Sequence, residues 1–138
     1  MPDHPYQDDQ TISNDVLLLR RVPCLPNINI VWDGNQECWR PSSASFEDHP
    51  NGTPMSIALS DVLAQLGRNY ESVLEAVEGE FALVGFTAEV ARANGQGVAR
   101  EPTPEEPAHG VVFGDKPKRV RRAIAKNSRW IVSPDSYV

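Results

Sequence analysis

The sequence lacks long apolar runs, and this absence argues against a membrane protein. No uninterrupted apolar run exceeds four of the 138 residues, as in Val16 to Leu19, whereas a membrane-spanning helix needs about 20. The first ten residues contain neither a basic start nor an apolar stretch, so we expect no secretory signal peptide. These features predict a protein without a membrane span and with a cytoplasmic location.

Cysteine is also scarce, since Cys24 and Cys38 are the two that occur. A disulfide is not expected in a reducing compartment. A zinc site would need two further ligands, and His49 and His109 form no CxxC or HxxxH pair with them. Because the glycine-rich loops of nucleotide-binding proteins and the GxSxG elbow are also missing, we predict no metal, no cofactor and two buried thiols.

The composition that remains is typical of one globular domain. Apolar residues make up 40% and charged residues 23% of the chain, with 12 prolines and nine glycines that predict numerous loops. Residues 1–14 hold three aspartates and few apolar side chains, so we expect a disordered acidic leader. The predicted domain spans residues 15–134, and residues 135–138 are a short tail.

Short strand-like and helix-like segments follow one another and predict an α+β fold with a mixed or antiparallel sheet. Asp33-Gly34 between two alternating segments is typical of a hairpin turn. The apolar spacing after Ser56 or Ser60 predicts a helix that ends at Gly67. Over residues 81–133 the predicted order is β-α-β-β-α-β, which suggests a split β-α-β unit.

The formal net charge of −6 conceals a strong asymmetry along the chain. Residues 1–114 carry six Lys or Arg and 17 Asp or Glu, whereas residues 115–138 carry seven and two. Such an asymmetry indicates an anionic or acidic partner. The alternative is that the basic end docks on the acidic face of the same molecule.

The basic residues near the C-terminus fall on one side of a predicted helix. The opposite side of this helix is apolar, because Val120, Ala123 and Ile124 recur there at helical spacing. Cations about 6 Å apart can contact successive phosphates of a nucleic acid. We therefore predict a non-enzymatic binding or adaptor domain that presents a basic helix to nucleic acid or an acidic protein. The predicted binding residues are Lys118, Arg119, Arg122, Lys126 and Arg129.

A second hypothesis is a small enzyme that acts on a phosphorylated or nucleotide substrate. Arg40 would hold a phosphate by paired hydrogen bonds. Ser42 or Ser43 would position or attack the substrate, and His109 would transfer the proton. This hypothesis requires Arg40 and His109 to border the same pocket.

Two further arrangements remain open. The excess of carboxylates in residues 1–114 suggests a subunit of a complex that binds a basic protein through its acidic face. Arg20 and Arg21 lie in an apolar strand, so one of them must point into the core and be paired. If either joined Arg40, an anion-binding pocket would result.

Overall fold

The computed structural model describes residues 6–75 and 77–136, which form a sheet-rich domain with short helices. The strands are β1 (Leu17–Pro23), β2 (Ile30–Asp33), β3 (Cys38–Pro41), β4 (Met55–Leu59), β5 (Phe81–Thr87), β6 (Gly97–Arg100), β7 (His109–Phe113) and β8 (Arg129–Val132). The α-helices are α1 (Ser60–Gln65), α2 (Ala88–Ala93) and α3 (Lys118–Lys126). Short 3-10 helices span Ser43–Phe46, Tyr70–Leu74 and Pro134–Ser136.

Six of these strands form one antiparallel sheet in the order β6-β7-β4-β1-β5-β8, and β2 and β3 form a separate hairpin. Every strand pair in the large sheet is antiparallel. The predicted α+β class and antiparallel sheet are confirmed. In the described part of the chain, no helix is long and apolar enough to cross a membrane.

The predicted order β-α-β-β-α-β is present as β5-α2-β6-β7-α3-β8. Its strands do not form a continuous sheet, because β1 and β4 lie between β5 and β7. The physical reason is the composition of β1, where consecutive residues Leu18 and Leu19 are both buried on opposite faces. A strand that is apolar on both faces is most stable in the centre of a sheet.

Each face of the large sheet is covered by different elements. Leu18 and Val22 of β1 pack in one core with Ile124 of α3. Leu19 packs in a second core with Leu63 of α1. The sheet therefore separates an α3 face, which also carries the hairpin residue Trp39, from an α1 face.

Residues 6–14 pack on the domain, unlike the expected disordered leader over residues 1–14. Ile12 is completely buried in the core of the α3 face. The Asp8 carboxylate accepts a hydrogen bond of 2.9 Å from the backbone N–H of Val98 in edge strand β6. The segment is polar apart from Tyr6, which stacks on Phe113, and Ile12, which supplies the buried side chain, so its composition resembles that of a disordered segment. The first five residues lie outside the described part.

The predicted helix begins at the second of its two predicted starts, Ser60, and the alternative start at Ser56 is wrong. Residues 55–59 are strand β4, and α1 begins at Ser60. An apolar run with a serine beside it is compatible with both structures, and pairing of β4 with β1 and β7 favours the strand. At the other end, the predicted tail over residues 135–138 overlaps the last 3-10 helix, and residues 137 and 138 lie outside the described residues.

The charged residue Arg20 lies inside β1 because its guanidinium is hydrogen-bonded there. Its guanidinium donates hydrogen bonds to the carbonyl oxygens of Ser45 (3.1 Å) and Ser56 (2.9 Å). Burial lowers the pKa of Arg20 to about 10, so the group stays charged at neutral pH. Its hydrogen-bond partners are backbone carbonyl oxygens. These bonds fix the 3-10 helix Ser43–Phe46, which follows the hairpin.

Candidate functional site: a basic groove

Two segments that are distant in sequence form the two walls of a groove of about 720 Å³. Strand β3 and the residues after it form one wall, and α3 with the start of β8 forms the other. We call this feature the basic groove. Its lining residues are Val31, Asp33, Gln36, Cys38, Trp39, Arg40, Pro41, Ser42, Ser43, Lys118, Arg122, Ala125, Lys126, Ser128, Arg129 and Trp130.

Helix α3 orients the cations because its apolar side is fixed in the core. Val120 and Ile124 are buried in the α3-face core. Pro117 occupies the N-cap with φ −61°, so no N–H of its own is left unpaired at the helix start. Asn127 is the C-cap, and its backbone N–H bonds to helix carbonyls. With one side buried, the opposite side of the helix presents its basic residues to solvent.

The cations of the groove are exposed and lack carboxylate partners. Lys118, Arg122, Lys126 and Arg129 are all exposed. Within residues 6–75 and 77–136, none of the four lies within 4.0 Å of a carboxylate oxygen. The first three are spaced four residues apart, so like charges are neighbours about 6 Å from each other.

Other basic residues of the same segment do pair with acidic ones. Arg121 lies 3.1 Å from the Glu47 carboxylate. The ammonium of Lys116, whose side chain is 4% exposed, lies 2.5 Å from Asp48. Desolvation lowers the pKa of Lys116, although Asp48 opposes this shift. Docking on the protein's own acidic residues therefore involves Arg121 and Lys116, and leaves the groove cations available.

Arg119 differs from the other predicted binding residues. It is exposed on α3, but it is not among the residues that line the groove. Arg119 precedes Arg122 by three residues and Lys126 by seven, so helical spacing alone groups it with them, and the sequence could not show that it lies outside the lining. The structure thus brings four of the five predicted basic residues together.

The hairpin supplies the second wall and an additional cation. Trp32 and Trp39 are direct cross-strand neighbours, with ring centroids 5.4 Å apart at 75°. Arg40 is exposed and lies 3.9 Å from Asp33, which is the one carboxylate among the lining residues. The hairpin predicted at Asp33-Gly34 is present.

Strand β8 contributes Trp130 to the lining of the groove. Its indole Nε1 donates a hydrogen bond of 2.9 Å to the backbone carbonyl of Trp39. Trp130 also packs against the core of the α3 face. Trp130 and Ser128 could not be predicted as lining residues, because nothing in the sequence places β8 beside β3.

Ser42 and Ser43 lie in the groove with Arg40, as the enzyme hypothesis required. The Ser42 hydroxyl donates a hydrogen bond of 2.6 Å to the carbonyl of Ile28, which holds the hairpin to the segment before it. Ser43 begins the 3-10 helix. The bond to Ile28 engages the single hydroxyl proton of Ser42, so Ser43 is the residue of this pair whose hydroxyl can donate to an anion.

His109 lies away from these residues, on the α1 face of the sheet. It is paired across the strands with Ala58, which packs in the α1-face core. Its Nδ1 lies 2.8 Å from the carbonyl oxygen of Glu101. His109 lines a separate cavity of about 300 Å³ together with Arg21. The sheet therefore separates His109 from Arg40, and the expected common pocket is not formed.

The anion pocket suggested for Arg20 or Arg21 with Arg40 is not formed either. Arg20 is held by carbonyl oxygens beneath the 3-10 helix, and Arg21 lines the cavity on the α1 face. Arg40 instead lies near the cations of α3. Strand alternation suggested a pairing among arginines of neighbouring strands. It could not reveal that Arg40 lies near α3, which is almost 80 residues further along the chain.

The described residues contain no group of three or more histidine, cysteine, aspartate or glutamate side chains that could hold a metal ion. Cys24 is buried, and its desolvation raises the pKa of the thiol. Cys38 is exposed, which contradicts the expectation of two buried thiols. It begins strand β3 and remains accessible among the residues that line the basic groove.

The groove is thus defined by its own geometry: cations on two walls, hydroxyls from the serines and indole surface from the tryptophans. Such a set of groups can bind an anionic chain through charge and hydrogen bonds. The chain matches no protein-family model, and no curated protein or solved structure is significantly similar to it.

Proposed function

We propose that this protein is a non-enzymatic binding or adaptor domain that presents the basic groove to an anionic partner. The observation that carries the proposal is the convergence of Arg40 with Lys118, Arg122, Lys126 and Arg129 around one concave surface. One carboxylate, that of Asp33, lies among the lining residues. Neighbouring like charges repel one another, and a bound polyanion removes that repulsion.

The groove supplies the kinds of contact that an anionic chain needs. Arginine side chains can bind a phosphate or carboxylate through two parallel hydrogen bonds, while lysine acts as a mobile point charge. Ser43 adds a hydroxyl group at the surface of the groove, whereas the Ser128 hydroxyl already donates to the carbonyl oxygen of Ala125. The proposed binding residues are therefore Arg40 and the four cations of α3 and β8, while Arg119 is outside the set.

The test is fluorescence anisotropy of labelled nucleic acid and of a labelled polyglutamate peptide, titrated with protein at several salt concentrations. Affinity is expected to fall steeply with salt. Four phosphate contacts on a single strand give a log–log slope of about −3. Binding by either ligand with such a slope supports the proposal, and no binding of either at low salt contradicts it.

A matched pair of variants locates the binding surface. Arg122→Glu reverses a charge inside the groove, and Arg119→Glu makes the same change on the same helix outside it. We expect the Arg122 variant to lose at least tenfold in affinity and the Arg119 variant much less. Equal losses would mean that the whole helix surface attracts the ligand and that the groove has no special role.

The alternative in which a basic protein binds an acidic face has less support. Within the described residues, seven carboxylates are already within 4.0 Å of an arginine or lysine. That alternative would be favoured if a basic protein copurified from native extracts and if charge reversal in the groove did not reduce the copurification. The paired carboxylates are Asp8, Asp9, Asp33, Glu47, Asp48, Asp61 and Glu106.

A further inference from the structure

Next to the basic groove, the hairpin leaves a large aromatic side chain open to solvent. Trp32 is 54% exposed, although it contacts Trp39, whose side chain lines the groove. The two rings meet edge to face, so this contact covers only part of the Trp32 indole. An exposed tryptophan beside a row of unpaired cations is the combination that sequence-tolerant single-strand binding uses.

We propose that the anionic partner is a single-stranded nucleic acid, whose phosphates lie along α3 and whose bases stack on Trp32. This inference rests on the proposed function and adds the class of ligand. In the proposed complex, successive phosphates are contacted by Lys118, Arg122 and Lys126, because neighbouring members of this set are four residues apart on the helix. Arg40 approaches the same strand from the hairpin wall.

The shape of the groove favours a single strand over a duplex or a membrane surface. Its cations face a concavity of about 720 Å³, a volume in the range of sites that hold small ligands. A few backbone units of one strand fit this volume, and the exposed Trp32 favours a strand with unstacked bases over a duplex, whose bases already stack on one another. A flat anionic membrane would contact the exposed cations without filling the concavity.

The segment before the hairpin adds two further exposed apolar side chains. Leu25 is 50% and Ile28 is 60% exposed, and both belong to the segment that leads into the hairpin. The hydrogen bond from Ser42 to the carbonyl of Ile28 connects this segment to the groove wall. A strand in the groove therefore has charge on the α3 side and apolar surface on the hairpin side, which matches the phosphates and bases of an unpaired strand.

The experiment compares labelled oligothymidylate, labelled oligouridylate, a duplex of equal length and polyglutamate, by anisotropy and by intrinsic tryptophan fluorescence. We expect the single strands to bind at least tenfold more tightly than the duplex and to quench tryptophan fluorescence. Trp32→Ala is expected to lose about tenfold or more in affinity for the strands. Its salt dependence should stay unchanged, because the phosphate contacts remain.

Two controls separate stacking from folding of the hairpin. Trp32→Phe keeps an aromatic ring, so most of the affinity should remain while the quenching decreases. Arg122→Glu removes a phosphate contact, so it should flatten the salt dependence. Thermal unfolding of the Trp32 variants shows whether the hairpin stays folded. Because Trp39 and Trp130 line the groove, stacking on Trp32 is measured as the quenching that Trp32→Phe loses relative to the unmodified protein.

The possible failures are distinguishable. Equal affinity for duplex and single strand, or an unchanged affinity of a folded Trp32→Ala variant, would overturn the single-strand inference. Binding of polyglutamate without binding of any nucleic acid would also overturn it, while the proposed anion-binding function would stand. No binding of any of these ligands at low salt would overturn both.

Discussion

The indole of Trp130 donates its hydrogen bond to the backbone carbonyl of Trp39, and this bond joins the hairpin to the last strand of the large sheet. The hairpin forms no ladder with that sheet, so its position depends on side-chain contacts of this kind. The distance between the two walls of the basic groove is therefore determined partly by a single indole N–H.

Trp130→Phe tests this relationship, because phenylalanine keeps an aromatic ring and loses the donor. The free energy of unfolding should fall by about 1 kcal/mol, and affinity for an anionic ligand should fall with it. Urea unfolding and anisotropy measure the two effects. Trp39→Phe is the control, since the acceptor is a backbone carbonyl that this change preserves. A Trp130 variant with unchanged stability and affinity would show that the bond does not position the hairpin.

Arg122→Gln should make the protein more stable. Arg122 has Lys118 and Lys126 four residues away on each side, and like charges at this spacing are destabilising. Their removal should raise the free energy of unfolding by about 0.5 kcal/mol at low salt, with a smaller gain as salt screens the repulsion. The measurement is urea unfolding at two ionic strengths.

Arg121, next to Arg122, provides a control for which the expected change in stability has the opposite sign. Arg121 contacts Glu47 and donates to the carbonyl of Lys116, so Arg121→Gln should lower the stability slightly or leave it unchanged. If both glutamine variants were destabilised to the same degree, then repulsion between the groove cations would not be a significant cost in the free protein.

Ile12→Ala should destabilise the domain by about 2–4 kcal/mol, as expected for an isoleucine removed from a packed core. Ser13→Ala, at the next and exposed position, should change the stability by less than about 0.5 kcal/mol. Chemical unfolding of both variants tests the packing of residues 6–14. A pair of equally small effects would restore the interpretation of this segment as a disordered leader.

Glu106 should make stability depend on acid pH. It accepts hydrogen bonds of 2.6 and 2.9 Å from the two terminal nitrogens of Arg68, and these bonds lower its pKa below the ordinary value of 4.5. The folded protein therefore keeps the carboxylate ionised where the unfolded chain is protonated. The resulting stabilisation is complete above pH 4.5 and is lost as the pH falls through the lowered pKa.

Glu106→Gln removes this contribution. At neutral pH the variant should be less stable by about 1 kcal/mol, and the gap should narrow as the pH falls below 4.5. Glu105→Gln, the adjacent exposed position, should follow the unmodified protein at every pH. Urea unfolding over an acid series is the measurement, and parallel curves for Glu106→Gln and the unmodified protein would contradict the assignment.

Local patterns in the sequence were sufficient to predict several elements of the fold. The turn at Asp33-Gly34 and the helix beginning after Pro117 depend on residues close together in the chain, and both are present. Strand β4 was missed, because Met55–Leu59 is short, apolar and followed by a serine, as a helix start can also be. What makes it a strand is its pairing with β1 and β7, a long-range effect.

The site shows the same division between local and long-range information. The row of cations on α3 follows from helical spacing, so Lys118, Arg122 and Lys126 could be chosen from sequence. The position of Arg40 opposite these cations could not be predicted from the sequence, because it depends on how the hairpin packs against β8. Sequence placed Arg40 and His109 in one hypothetical pocket, since nothing in it reveals which face of the sheet each residue occupies.

The separation of charge within this molecule has a kinetic consequence. The groove is lined by five cations and one carboxylate, yet the whole chain carries a formal net charge of −6. The protein therefore has an electric dipole with its positive end at the groove. An anion that approaches from another direction is repelled, and the torque on the dipole turns the groove toward it before contact. For the anionic ligand that we propose, association should therefore be rapid at low ionic strength and slower as salt screens the field.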